Sequence, residues 1–307
     1  MIRKILFLIC LLLIIQAHSL AKQRPFVQTN EVIVFFDGPL EKAAREIAAI
    51  YPGLKSEMEE IIGWELNYRP AILLVHDAET FRKMVNHDMF VAFAAPRKKL
   101  IVIDYSKMNG RRFKLRITLK HEVCHLLLHH HIGTANLPRW LDEGVSQWAS
   151  DGLSELIMDR KRYLLDKAAL TGKYLSLREL TRAFPRDKLS LSLAYEQSKS
   201  LVKYVEEEFG ENKILEILGY LKSGDNINTA IRKSISISPD ELESRWHRYL
   251  RRRTTWFVYL AANIYEILFF LSALAAIYGF IKSGIRKRAY RDEEEEEEGE
   301  EWEDFDG

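Results

Sequence analysis

Two short stretches constrain this chain more than anything else in it: His121-Glu122-Val123-Cys124-His125, and Leu137-Pro138-Arg139-Trp140-Leu141-Asp142-Glu143-Gly144. On a helix, His121 and His125 stand four apart and project from one face, so both imidazoles reach one metal ion. Glu122 lies about 100° further round, off the ligand position but close enough to touch a water on the metal. Pro138 suits the first turn of a second helix, which brings in Glu143 as a third ligand. Three protein ligands leave a tetrahedral Zn2+ one open position, the arrangement of a catalytic rather than a closed structural site.

The context separates this reading from coincidence. With nine histidines in the chain, the short motif arises by chance about a few times in a hundred. Here it lies in an apolar run, Ile117, Leu119, Val123, Leu126, Leu127 and Leu128, that reads as a buried helix. Burying two histidines and a glutamate without partners costs about several kcal/mol. The competing reading, hydrogen-bonded core histidines, has no use for the second acidic motif downstream.

HEVCH followed after a loop by LPRWLDEG resembles the gluzincin zinc metallopeptidases, and among them the peptidase MA-like domains, with a spacing slightly tighter than usual. The resemblance runs from about Tyr68 to Leu250 and includes Leu193-Ala194-Tyr195-Glu196-Gln197-Ser198. It implies an α+β fold: a small mixed β-sheet lobe, then a helical lobe, with the zinc site between them. It implies hydrolysis of a peptide or protein substrate, with His121, His125 and Glu143 holding Zn2+ and Glu122 as general base. It also implies an oxyanion donor, a tyrosine from the helical lobe; Tyr195 sits at a matching distance along the chain, and is otherwise a packing residue. An edge strand that binds substrate backbone falls on the Met89–Ile103 hairpin, though the residues do not say which strand is the edge, and ordinary core strands are the alternative. Gln147, one turn past Glu143, takes the place of an aspartate that in thermolysin-like enzymes accepts the second N–H of a zinc histidine. Two other functions stay open: a zinc-binding interaction module with little turnover, and a zinc hydrolase of a non-peptide amide.

Several neighbours of the motif carry weaker signals. His129 continues the face of His121 and His125, so it is an alternative ligand or a polar residue favoured at a helix C-terminus, which Gly133 caps. Gly144 inside a helix implies close approach of the two zinc helices. Cys124 points away from the histidine face and reads as a small packing residue.

Elsewhere the patterning predicts strands at Glu31–Phe36, Ala71–Val75, Met89–Ala95 and Leu100–Ile103, the last two joined by the basic turn Pro96-Arg97-Lys98-Lys99. Helical spacing runs from Leu40 to Ile61, where Pro52 implies a break or kink, and over Phe81–Val85. Beyond the motif, helices are expected at Ser154–Lys167, from Leu177, and at Ser192–Phe209, Lys213–Leu221 and Asp240–Leu250.

The ends of the chain place it at a membrane. Residues 1–21 order Arg3 and Lys4, an apolar run and small residues as a secretory signal peptide does; an uncleaved anchor would export the same domain. The peptidase domain is then 22–250. Residues 256–281 are long and apolar enough to cross the lipid bilayer as a transmembrane helix, with Trp256, Tyr259 and Tyr278 toward the ends. Asn263 and Glu266 lie inside that span, Glu266 near its middle, and mark either a face for a membrane partner or a tolerated polar residue. Residues 282–307 begin basic, and 292–306 carry twelve acids and no base, a composition expected to be disordered. Export puts the catalytic domain outside and this tail in the cytoplasm. No basic cluster interleaves with aromatics, so nucleic acid is not a partner.

Overall fold

The computed structural model describes residues 24–85, 89–108, 112–150, 164–253, 260 and 263–303. The expected signal peptide, residues 154–163 of the expected helix Ser154–Lys167, Trp256 and Tyr259 therefore lie outside the described residues.

The first lobe is a mixed five-stranded sheet: β1 (Phe26–Gln28), β2 (Ile33–Phe36), β3 (Ala71–Val75), β4 (Ala92–Ala95) and β5 (Leu100–Asp104), in the order β1-β2-β3-β5-β4. β2, β3 and β5 run parallel, and an antiparallel strand closes each edge. Alternation sets the register: Val34 and Phe36 of β2, and Ile72 and Leu74 of β3, are buried while Ile33, Phe35, Ala71 and Leu73 are only half-buried. β1 is absent from the sequence-based reading because Phe26–Gln28 is too short for a periodic signal.

Helix α1 (Glu41–Ile62) covers the sheet and runs through Pro52 without the expected break. Pro52 is exposed, whereas Ile47, Tyr51, Leu54 and Met58 form one buried stripe that holds both halves of the helix against the core. After α2 (Ala78–Val85) comes the edge hairpin. β4 pairs Ala92 with Ile103 and Ala95 with Leu100, and among the described residues no strand pairs with its other side. The Met89–Ile103 hairpin thus supplies its first strand as the edge.

The second lobe is helical: α3 (Arg112–Ile132), α4 (Arg139–Ala149), α5 (Leu164–Thr171), α6 (Leu177–Arg182), α7 (Lys188–Phe209), α8 (Glu211–Lys222), α9 (Ile227–Ile235) and α10 (Pro239–Arg253). α9, with Asn226 capping it through Thr229 N–H, was not read from the sequence. Residues 121–128 of α3 are all buried, because the helix lies between α1 and β4 on one side and α4 on the other. One apolar core, from Val32 to Leu250, joins both lobes.

Helix α11 (Ile264–Glu303) departs from expectation twice. Glu266 falls in its first turn, where a carboxylate suits the helix dipole, rather than near mid-span. The backbone of residues 292–303 continues the helix instead of lacking structure; glutamate is a good helix former and no proline interrupts the run. Ile264–Lys287 is long and apolar enough to cross a membrane.

Candidate active site

The site forms where α3 meets α4 under the edge strand β4. His121 Nε2 and His125 Nε2 lie 3.1 Å apart, and Glu143 Oε2 lies 3.5 Å from the first and 3.6 Å from the second. Ligand atoms at zinc bonding distance on a tetrahedron sit about 3.3–3.6 Å from one another, so this donor set fits the ion. Glu143 Oε2 is buried and has no hydrogen-bond partner, a costly state for a carboxylate oxygen that a cation would relieve.

Electrostatics point the same way. Burial opposes charge on His125, but Asp142 and Glu143 override it and hold its pKa well above the ordinary value. Burial also opposes charge on Glu143, yet Arg139 and His125 hold that carboxyl well below its usual range. The pull that favours a proton on His125 favours a divalent cation in its place.

Glu122 is buried beside this group; its Oε2 has no hydrogen-bond partner, while the Ala94 backbone N–H of β4 donates to the carboxylate. Burial raises its pKa, against the pull of His121 and His125. A cleft of about 370 Å³ opens over these residues, lined by β4, Arg97, Lys98, Arg139 and Tyr195.

A sequence profile of the Peptidase MA superfamily matches residues 85–252, more than half of the chain. The chain belongs to the peptidase MA superfamily. Among solved structures, the M1 zinc metallopeptidase from Deinococcus radiodurans is similar at 15% identity and a TM-score of 0.42, over 75% of this chain and 51% of that one. A mutant of that enzyme bound to a Tyr-Ser-Ala substrate is similar at 14% identity and a TM-score of 0.43, over 72% and 50%. The chain thus spans about half the length of these structures. No curated protein sequence matches it.

Within this peptidase MA-type site, the structure brings together all five residues named from the sequence. Tyr195 both packs and reaches in: it is buried against Phe184, and its hydroxyl donates to Glu143 Oε1 at 3.1 Å. Burial, then Glu143, pushes its phenol pKa well up, so it stays a donor.

Two expectations need correcting. Gln147 does not touch a histidine; its Nε2 donates to the Tyr195 carbonyl at 3.3 Å, because it lies on the face of α4 turned to α7. The aspartate role falls to Asp142, whose Oδ1 is 2.6 Å from His125 Nδ1 and whose Oδ2 is 2.9 Å from His129 Nε2. His129 is therefore held by Asp142 and does not join the His121, His125 and Glu143 group. Gly144 does mark a close approach, but to α7 rather than α3: a Cβ there would lie 2.5 Å from the Ser198 carbonyl oxygen and 2.6 Å from Val202 Cγ2.

Arg139 and Asp142 are the residues sequence reasoning missed. Arg139 Nη2 lies 2.7 Å from Glu143 Oε1 and 3.4 Å from the Tyr195 hydroxyl, so it fixes the carboxylate oxygen that faces away from the histidines. The signals were present: an arginine four residues before Glu143, and an acid in an apolar helix that would need a partner.

Proposed function

We propose that this chain is a membrane-anchored zinc metallopeptidase hydrolysing peptide bonds, with His121, His125 and Glu143 as ligands and Glu122 as general base. The observation that carries the reading is the convergence of two Nε2 atoms and an unpartnered Glu143 Oε2 beside Glu122, under an open strand edge. When bound, a zinc ion would supply Lewis acidity at the open side of this triad.

The chain's own residues do the rest. Glu122, buried and raised in pKa, takes a proton from the attacking water and passes it to the departing amine. The unpaired edge of β4 accepts the substrate as an added strand and fixes the scissile bond against Glu122. Tyr195 keeps its phenol proton, which goes to Glu143 Oε1 in this structure, and would turn it to the carbonyl oxygen as negative charge develops. Asp142 holds His125 by Nδ1, so that Nε2 turns to the ligand position. Arg139 holds Glu143 by Oε1, leaving Oε2 free.

We place residues 1–21 as the signal peptide, 22–250 as the exported peptidase domain, Ile264–Lys287 as the spanning helix and the acidic tail in the cytoplasm. Asn263 and Glu266, at one end of that helix, are our candidate contact with a membrane partner. The test uses the full chain in detergent: metal content, then cleavage of a mixed peptide library, with Glu122→Gln as control. Glu122→Gln should keep its zinc and lose about 10²- to 10⁴-fold in turnover. Equal turnover in the variant removes the assignment; zinc without any cleavage returns the chain to an interaction module or a hydrolase of another amide.

A further inference from the structure

The cleft is chemically different at its two ends. β4 enters beside Phe90, which packs with Tyr195, Met89 and Leu191, and leaves into the turn Pro96–Lys98, where Arg97 and Lys98 line the opening. That turn has a fixed shape. Lys99 closes it in the left-handed region, with φ 51°, and its N–H donates to the Pro96 carbonyl at 3.0 Å. Lys99 itself is drawn away from the cleft, its ammonium lying 4.6 Å from the centre of the Tyr68 ring. Arg97 and Lys98 remain exposed, and neither has an ion-pair partner among the described residues.

The other charges that line the cleft are answered inside the protein. Arg139 is held by Glu143, and Asp142 by His125 and His129. Glu122 and Glu143 stand at the triad itself. The two cations of the turn are thus the uncompensated charge that an incoming chain meets. Their distance from the reacting bond follows from strand geometry. Ala94, whose N–H marks the Glu122 position, is three residues before Arg97 and one before the end of β4, so the turn that carries the cations begins at most about 10 Å of backbone away, within two or three substrate residues of the scissile bond.

We infer that the cleft selects peptides bearing a carboxylate two or three residues from the scissile bond, on the side facing Arg97 and Lys98. The inference rests on the peptidase reading above. The carboxylate is that of an acidic side chain or of the peptide's own terminus, and the substrates tested separate the two.

The experiment uses the full chain in detergent with zinc and a set of alanine-based peptides. Glu, Gln or Lys is placed in turn at each position on either side of the cut, with the C-terminus amidated; a parallel set has no acidic residue and a free C-terminal carboxylate. At one position, on one side only, Glu should raise kcat/KM about five- to tenfold over Gln, and Lys should lower it, with the difference shrinking in high salt. If the carboxylate is instead terminal, the free-acid set shows the same gain at that distance and internal Glu shows none. The double substitution R97E/K98E should invert the Glu-to-Lys preference at that position, and peptide binding to Glu122→Gln, read by fluorescence anisotropy, should follow the same order. Cleavage that is indifferent to charge at every position overturns the inference and leaves the peptidase reading standing, as does a preference that R97E/K98E does not move. Absence of all cleavage brings down both.

Discussion

The pair α3 and α4 and the helix α11 break the usual inside–outside rule in opposite directions. The first pair buries His121, Glu122, His125, Asp142, Glu143 and Gln147, all with less than a tenth of their surface exposed. α11 exposes Tyr265, Phe269, Phe270, Tyr278 and Phe280, each more than three-fifths exposed. Buried ionisable groups and exposed aromatic runs are both unfavourable in water, so each region is complete only in the surroundings that correct it. On the reading proposed above, that is a cation for the first and a bilayer for the second. The buried network answers most of its own charges and leaves one carboxylate oxygen of Glu143 and one of Glu122 unpartnered, whereas α11 answers almost nothing internally. The contrast teaches that the buried site is pre-organised by the protein and the exposed apolar helix is not.

The comparison can be broken most forcibly at α11. Arginine at both Leu271 and Leu274 should cost about 5–7 kcal/mol of insertion free energy. A label fused after Gly307 should then move to the same side of the membrane as the peptidase domain; an unchanged position would show that α11 does not span. Next in size is the network behind His125. Asp142→Ala strips the partner from both His125 and His129, and zinc affinity in competition with a chelator should fall about 10- to 100-fold. Asp142→Asn should lose less, since its amide oxygen still accepts from Nδ1.

A third test asks how rigidly the polar pair is clamped. Gly144→Ala drives a methyl group into the α7 backbone at Ser198, and thermal unfolding should report a loss of about 1–3 kcal/mol. The smallest effect concerns Glu196, one residue past Tyr195, which accepts from Leu165 N–H. Burial raises its pKa from 4.5 to about 7. The folded chain therefore holds a proton that the unfolded chain has lost, and stability falls as pH rises through that window, with the full penalty present above it. Glu196→Gln should raise stability at pH 8 by on the order of 1 kcal/mol after screening of this partly exposed group, read as a higher melting temperature, and change little at pH 4.

Much was legible in the residues because it follows from local chain geometry. Four-residue spacing puts His121 and His125 on one face whatever surrounds them, and apolar runs reveal β3, β5 and α11 by length and period. Short elements were not legible: β1 and α9 carry too few periods. Pro52 was read from its local penalty, which the buried stripe of α1 outweighs.

The amino-acid sequence by itself determined the donor set, the α+β order of sheet before helices, and the presence of an apolar segment fit for a bilayer. Only the tertiary structure decided that Asp142 rather than Gln147 stands behind His125, that Gly144 lies against α7, that Arg139 and Tyr195 share Glu143, and that β4 is the open edge. The first group depends on contacts within a turn or two of one helix. The second depends on which faces of α4 are buried against which neighbours, and that is settled by burial across the whole core rather than by any spacing along the chain.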